Sequence, residues 1–311
     1  MRVCVTGGSG MVGHCIKEIM KDNDKHEFIY LSSKDCDLRN KYETHCYFQN
    51  ENFDAVIHLA ANVGGLYKNL SSNIEMFCDN IKINENVLEA SHKYGVRKGI
   101  FILSSCIYTA NPSKFPMNEE MIHDGPPHPS NEGYAYSKRM MEMQVRHYNA
   151  SYGTNFMCLI PVNLYGPYDN FNLNECHVLP GLMHRFYKNK KLNLKTFNVY
   201  GTGNPLRQFV YAKDFAKIIC ESLDINDLPQ NVIVANNEVK IRDLVDVVCD
   251  VMEIDKESVT YNKEMSDGCM RKTVKSEVFN DLFKNFKFTS LEDGIKDTYD
   301  WFITNYENIR K

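Results

Sequence analysis

No apolar run in this 311-residue sequence approaches the ~20 residues that a membrane-spanning helix requires, so no membrane partner is expected. Surplus positive charge is also missing: 36 Lys and Arg against 40 Asp and Glu leave a net charge of -4. That balance argues against nonspecific binding to nucleic acid or to an anionic membrane, although a local basic cluster can still hold a phosphorylated ligand. Cysteine is present, but its eleven copies are odd in number and no two stand in a C-x-x-C spacing. Most of them, such as Cys4, Cys158, Cys220 and Cys249, fall inside apolar runs. They read as small buried hydrophobes in a reducing compartment, not as a disulfide framework. Arg2 leads directly into a strand without the layout of a secretion signal, which makes a cytoplasmic protein the expectation. Internal repeats and low-complexity linkers are absent too. With 43% hydrophobic and 24% charged residues, the chain is an ordinary globular protein, long enough for one large core or two modest ones.

What is there begins with a strand over 2–6, followed at once by Gly7-Gly8-Ser9-Gly10-Met11-Val12-Gly13 and a helix-spaced apolar pattern. Strand, glycine loop and helix are the context of a dinucleotide fingerprint, in which a helix N-terminus offers free N–H groups to a pyrophosphate. The spacing is G-x-x-G-x-x-G, and glycine turns of this kind also occur for purely structural reasons. A second strand over 28–31 ends in Ser32-Ser33-Lys34. Two hydroxyls and a cation there suit a 2′-phosphate and favour NADPH over NADH, a solvated turn being the plainer alternative. Strands over 55–61, 100–103 and 156–160 alternate with helices over 42–48, 73–94 and 135–152, the last two stopped by Gly95 and Gly153. This alternation predicts an α/β fold with a Rossmann-type doubly wound parallel sheet. The strand over 207–211, the helix over 212–223 and the strand over 231–235 read as a return to that sheet. The expected division is a nucleotide-binding domain of residues 1–164 joined by 206–236, with 165–205 and 237–311 forming a smaller mixed α/β substrate-binding lobe. Ser290 with Asp293 resembles a capping box before a final helix over 291–305.

Tyr134 and Lys138 lie one helical turn apart and project from one face. An ammonium beside a phenol favours the phenolate, which eases proton donation and return. Ser104, at the end of the strand over 100–103, is placed to hydrogen-bond a substrate carbonyl. These are the parts for hydride transfer between a nicotinamide and a ketone, although Tyr-x-x-x-Lys alone also arises by chance on amphipathic helices. Cys106 stands two residues beyond Ser104, and His177 lies in Asn174-Glu175-Cys176-His177-Val178-Leu179-Pro180. A thiolate can take the acidic proton beside a ketone and an imidazole can return one, so this pair suits an epimerase, against the alternative of a buried structural thiol. Arg185 and Arg207 are candidates for phosphate, with surface solvation as the alternative, while Lys188, Lys190 and Lys191 read as a solvated loop. No metal is expected.

The chain resembles the GDP-L-fucose synthase family of the extended short-chain dehydrogenase/reductase superfamily, nearly end to end. The likeness is carried by the glycine loop, Val63-Gly64-Gly65, Ser104-Ser105-Cys106-Ile107-Tyr108 and Asn131-Glu132-Gly133-Tyr134-Ala135-Tyr136-Ser137-Lys138. It continues through Pro161-Val162-Asn163-Leu164-Tyr165-Gly166-Pro167 and His177-Val178-Leu179-Pro180. The resemblance implies epimerisation of GDP-4-keto-6-deoxy-D-mannose at carbons 3 and 5 by Cys106 and His177. Reduction at carbon 4 by NADPH, with Ser104, Tyr134 and Lys138, would follow. It further implies that NADP(H) contacts Gly7, Gly8, Ser9, Gly10, Met11, Val12, Gly13, Ser32, Ser33 and Lys34. Ala60, Ala61, Lys138, Pro161, Asn163, Leu164 and His177 would complete that cofactor site. The GDP-sugar would contact Asn163, Arg185, Tyr200, Arg207 and Asp267. A homodimer joined by a four-helix interface of the 73–94 and 135–152 helices is implied as well. Tyr200 replaces a tryptophan of some members, and Ser9 a basic residue. On residues alone, a reductase or 4-epimerase of another nucleotide sugar, or a catalytically silent NADP-binding protein, stays open.

Overall fold

The computed structural model describes residues 1–310. Strand β1 (Arg2–Thr6) leads into helix α1 (Met11–Ile19), and β2 (Glu27–Leu31), α2 (Lys41–Glu51) and β3 (Ala55–His58) follow. Next come α3 (Leu66–Ser71), α4 (Asn73–Lys93), β4 (Lys98–Ile102), α5 (Glu132–Tyr152) and β5 (Asn155–Pro161). The chain continues with β6 (Asn163–Tyr165), α6 (Val178–Lys191), β7 (Phe197–Tyr200), β8 (Leu206–Tyr211), α7 (Ala212–Ser222) and β9 (Asn231–Val234). It ends with β10 (Glu238–Lys240), α8 (Ile241–Met252), β11 (Val259–Asn262), α9 (Glu277–Leu282) and α10 (Leu291–Thr304).

Six strands form one parallel sheet in the order β2-β1-β3-β4-β5-β9. Helices cover both faces of such a sheet, which is why Val3 to Val5, Ala55 to Ile57 and Phe156 to Ile160 are fully buried apolar runs without alternation. The doubly wound α/β fold expected from the sequence is the fold observed. Helices α4 and α5 end where the glycines predict: Gly95 and Gly153 both take positive φ, +75° and +65°. The final helix starts as read, with the Ser290 hydroxyl accepting from the Asp293 N–H at 3.0 Å. The return arm differs from a true capping box, because the Ser290 hydroxyl donates to the Asp293 carboxylate at 2.6 Å.

One strand lies elsewhere than the sequence suggests. β8 does not join the main sheet; it pairs parallel with β6 and antiparallel with β10 in a three-stranded sheet. Only α7, packed on α1, and β9 return to the first layer. An apolar strand before an amphipathic helix reads the same whichever sheet receives it, so pairing is decided by tertiary contacts. Two buried apolar clusters result. One surrounds the main sheet and includes Val274, Phe279 and Phe283 from the late chain. The other joins α6, α8 and α10 around Phe171, Phe186 and Phe302.

A chain of buried polar groups ties the first layer together. The Thr6 hydroxyl accepts from the Ala60 N–H at 3.2 Å and lies 2.8 Å from His58 Nδ1. His58 Nε2 lies 3.1 Å from Asn84 Oδ1, and Asn84 Nδ2 donates to the Ser137 carbonyl at 3.3 Å. Burial, followed by the nearby Lys138 charge, pushes His58 down to about 3, so the ring is neutral and its two nitrogens are both partnered. Strands β1 and β3 and helices α4 and α5 are thereby fixed in one register.

Asp214, 1% exposed on α7, holds the entry to α10 by accepting from the Thr289 N–H at 2.6 Å and from its hydroxyl at 2.9 Å. Asp214→Ala leaves a partly buried N–H and hydroxyl without their charged acceptor and is expected to lower the unfolding free energy by about 2 kcal/mol in urea titrations. A loss below about 0.5 kcal/mol would show that water replaces the carboxylate.

Candidate active site

The site begins with a turn that only glycine can make. Gly7 has φ +69°, and a Cβ there would stand 2.8 Å from the Ala60 nitrogen; one on Gly13 would stand 2.6 Å from the Gly8 carbonyl oxygen. The loop therefore lies against the end of β3 while α1 packs down on the loop. Gly10 precedes α1 without any side-chain cap, leaving the first N–H groups of the helix to a ligand.

A cavity of about 1150 Å³ follows the carboxyl ends of β1, β2, β3, β4 and β5. That exceeds the roughly 300–1,000 Å³ of a single ligand site, leaving room for a cofactor and a substrate together. The main layer lines it with Gly7, Ser9, Gly10, Met11, Val12, Gly13, Ser32, Ser33, Ala60 and Ala61. Ser104, Cys106, Tyr134, Lys138, Pro161, Asn163, Leu164 and His177 line its middle, and Arg185, Tyr200, Arg207 and Asp267 come from the second layer. Two expected cofactor contacts do not line it. Gly8 packs against Tyr30 and donates its N–H to the Leu31 carbonyl at 2.9 Å, so it is a strut beneath the loop. Lys34 lies on a turn that Asp35 closes by accepting from the Ser32 N–H and hydroxyl at 2.8 and 2.6 Å. The cation this loop brings to the cavity is Arg39, which Asp37 steadies at 2.8 and 2.9 Å. Free helix N–H groups, a loop that a Cβ would fill, Ser33 and Arg39 together fit a dinucleotide carrying a 2′-phosphate.

At the centre, β4 ends at Ile102, and Ser104 opens a single turn over Ser105–Ile107 in which its hydroxyl accepts from the Cys106 N–H at 3.3 Å. Two consecutive cations of α5 grip this segment from either side. Lys138 Nζ donates to the Ile102 carbonyl at 2.8 Å, and Arg139 Nε donates to the Ile107 carbonyl at 2.6 Å. The Lys138 ammonium, 2% exposed, also sits 5.8 Å from the centre of the Tyr134 ring. Burial pushes Lys138 down to about 8, so it remains mostly charged at neutral pH. Burial pushes the Tyr134 phenol well up, holding it as the acid; the ammonium expected to favour the phenolate does not outweigh desolvation in the resting cleft. Burial also raises the Cys106 thiol, opposed first by the charge of Lys272, then by the Ser104 hydroxyl and Lys138.

His177 caps α6 without a side-chain bond to the helix, so its ring is open to the cavity. The ring keeps water-accessible surface, but the surrounding walls disfavour its charged form and lower its pKa. Its segment sits on Gly65: the Gly65 N–H donates to the Glu175 carbonyl at 2.6 Å, and a Cβ on Gly65 would stand 2.2 Å from the Cys176 oxygen. In the second layer the Arg185 guanidinium stacks 4.5 Å above the Tyr200 ring. Arg207 Nη1 donates to the Leu206 carbonyl at 2.9 Å. Asp267 turns its carboxylate to Thr202, accepting from the N–H and the hydroxyl at 2.7 Å each. It organises the turn after Tyr200 while lining the cavity. Lys272 also lines the cavity, and the sequence reading passed over it; its only signal is its place between Arg271 and Thr273, which both bond Glu238.

Residues 3–235 match the NAD dependent epimerase/dehydratase family. The chain is 41% identical to a GDP-L-fucose synthase of Dictyostelium discoideum, covering 99% of this chain and 97% of that one. It is 30% identical to the GDP-L-fucose synthase of Escherichia coli (strain K12), covering 99% and 98%. The crystal structure of a GDP-L-fucose synthetase from Naegleria fowleri bound to NADP is similar at a TM-score of 0.92 and 36% identity, covering 100% of this chain and 95% of that one.

Arg39→Ala is expected to weaken NADPH binding about tenfold while leaving NADH nearly unchanged, as read by fluorescence titration, because one charge-assisted bond to a phosphate is lost. Equal effects on the two nucleotides would place the guanidinium away from the 2′ position.

Proposed function

The chain belongs to the GDP-L-fucose synthases of the NAD dependent epimerase/dehydratase family, and from that premise we propose how its residues make GDP-L-fucose. It is an NADPH-dependent enzyme that epimerises GDP-4-keto-6-deoxy-D-mannose at carbons 3 and 5 and then reduces carbon 4. The observation that carries the residue assignment is the meeting of Ser104, Tyr134 and Lys138 with Cys106 and His177 around one cavity.

The carbon-4 ketone acidifies the hydrogens on both of its neighbours. Cys106, as thiolate, removes a proton: the C–H bond breaks, an S–H bond forms and the electron pair moves into the ketone as an enolate. His177, made imidazolium by taking up the proton that Cys106 loses on ionising, returns a proton to the opposite face: an N–H bond breaks, a C–H bond forms, the ketone is restored and the stereocentre is inverted. The Ser104 hydroxyl hydrogen-bonds the oxygen as it gains charge. Bound NADPH supplies the hydride for the last step. Tyr134 then gives its proton to the new alkoxide, and the Lys138 ammonium stabilises the phenolate left behind. Arg185 and Arg207 hold the diphosphate of the sugar nucleotide, Asn163 holds the sugar, and Tyr200 stacks on the nucleoside, with Asp267 keeping its turn in place.

The protein acts as a homodimer through α4 and α5. These helices pack side by side, and α5 turns Met140 and Met143, each 42% exposed, and Tyr152, 62% exposed, outwards around a shallow depression. Its eleven cysteines suit the reducing cytoplasm, a compartment that cell fractionation checks. Among the described residues no helix is long and apolar enough to cross a membrane.

Cys106→Ser should lower solvent deuterium uptake at carbons 3 and 5 by about 10²–10⁴-fold and divert reduction to a product of unaltered configuration, seen by NMR. Tyr134→Phe should do the reverse, keeping exchange while hydride transfer falls by a similar factor. Equal loss of both steps in either variant would reject the division of labour. Met143→Glu should turn a dimer into a monomer by light scattering; a dimer that survives it would move the interface elsewhere.

A further inference from the structure

Lys272 faces the cavity beside Cys106, and no step above uses it. Its stretch of backbone is held on both sides. Arg271 is bridge-paired with Leu206, whose N–H donates to the Met270 carbonyl at 2.9 Å. Val274 is bridge-paired with Met117, whose N–H donates to the Thr273 carbonyl at 2.9 Å. Gln208 bonds Val274 twice, at 2.8 and 3.0 Å. Arg271 Nη2 donates to Glu238 at 2.7 Å, and the Thr273 hydroxyl bonds the same carboxylate. Side chains alternate along extended backbone, so two neighbours anchored on Glu238 turn Lys272 the other way, into the cavity.

We propose that Lys272 is a positioning residue that eases ionisation of Cys106, its ammonium balancing the charge on sulfur when the base is needed. The groups around Cys106 are Lys138, Arg139 and Tyr134 from α5, Ser104 from its own turn and Lys272 from the segment before α9. Lys138 is already engaged with the Ile102 carbonyl and the Tyr134 ring, and Arg139 with the Ile107 carbonyl. Lys272 is the cation whose charge bears most on the thiol. Burial lowers Lys272, as it does Lys138; of the groups bearing on it, Cys106 and Cys269 favour its charge and Arg207 opposes it, with no carboxylate among them to neutralise it. A half-buried cation lining the same cleft as a thiol is a setting that makes a cysteine reactive.

The inference rests on Cys106 being the base, and its test is chosen to stand apart from that reading. Iodoacetamide labelling of Cys106 in the free enzyme, followed by peptide mass spectrometry between about pH 6 and pH 10, reports the thiolate without sugar or cofactor. Lys272→Met should move the labelling midpoint up by about one unit, slowing labelling about tenfold near neutral pH, and Lys272→Arg should restore it. Lys272→Gln serves as a second neutral variant, and NADPH binding verifies that each is folded. With the keto sugar, deuterium uptake should fall by the same factor while KM holds within about twofold. An unchanged labelling profile in the neutral variants overturns the proposal, and a raised KM beside unchanged labelling would reassign Lys272 to the diphosphate. A shifted profile without any turnover of the sugar would reject the proposed function and keep the role of Lys272.

Discussion

The hydrogen bond from the Lys138 ammonium to the Ile102 carbonyl is the contact on which the site depends. Burying an ammonium costs several kcal/mol unless it is well partnered, so the side chain is tolerated only where that carbonyl and the Tyr134 ring receive it. The reciprocal constraint falls on the main chain. Lys138 bonds the residue two before Ser104, and Arg139 bonds the residue just after Cys106. One helix thus grips both flanks of the segment that carries the hydroxyl and the thiol. A slip of α5 along β4 would break both bonds and separate the proton donor from the carbonyl it serves. The polar chain from Thr6 through His58 and Asn84 to the Ser137 carbonyl resists that slip from the other face of the helix.

A second constraint concerns where the two layers meet. The cofactor loop and the Ser104 segment rest on the apolar cluster around the main sheet, whereas α6, Tyr200 and the second sheet rest on the other cluster. His177 belongs to the second by its helix but must face residues held by the first. Gly65 provides the joint, since its missing side chain lets the Cys176 carbonyl approach and its N–H bonds Glu175. In the proposed mechanism an acid on one layer and a base on the other share a ketone, so both depend on that joint.

Much of this was legible in the sequence. Parallel strands buried on both faces leave continuous apolar runs, and glycines mark the helix stops, so the order of elements and the strand ends bearing Gly7 and Ser104 could be read directly. Tyr134 and Lys138 were legible because four residues make one helical turn. What could not be read depends on contacts between distant segments. The partner sheet of β8 is one example. That Arg39 lines the cavity and Lys34 does not is another, for it depends on the turn that Asp35 closes. Asp267 lines the cavity as expected of a ligand contact, but that its carboxylate also receives the N–H and hydroxyl of Thr202 could be seen only in the fold. Cys106 and His177 are far apart in sequence, and their pairing came from resemblance. Lys272 had no motif at all.

The protonation states share one physical cause. Burial raises Tyr134 and Cys106 and lowers Lys138 and His177, so desolvation drives every reacting group towards its neutral form. A resting cleft of this kind holds its acids protonated and its imidazole uncharged, while Lys138, near 8, keeps most of its charge at neutral pH and donates to the carbonyl of Ile102. Chemistry at the ketone must then create charge: a thiolate and an enolate in epimerisation, an alkoxide and a phenolate in reduction. In surroundings of low polarity each such anion gains most from a cation fixed in advance, because no reorganisation is needed when it forms. In the mechanism proposed above, Lys138 meets this requirement beside the phenol and Lys272 beside the thiol, one for each half of the reaction.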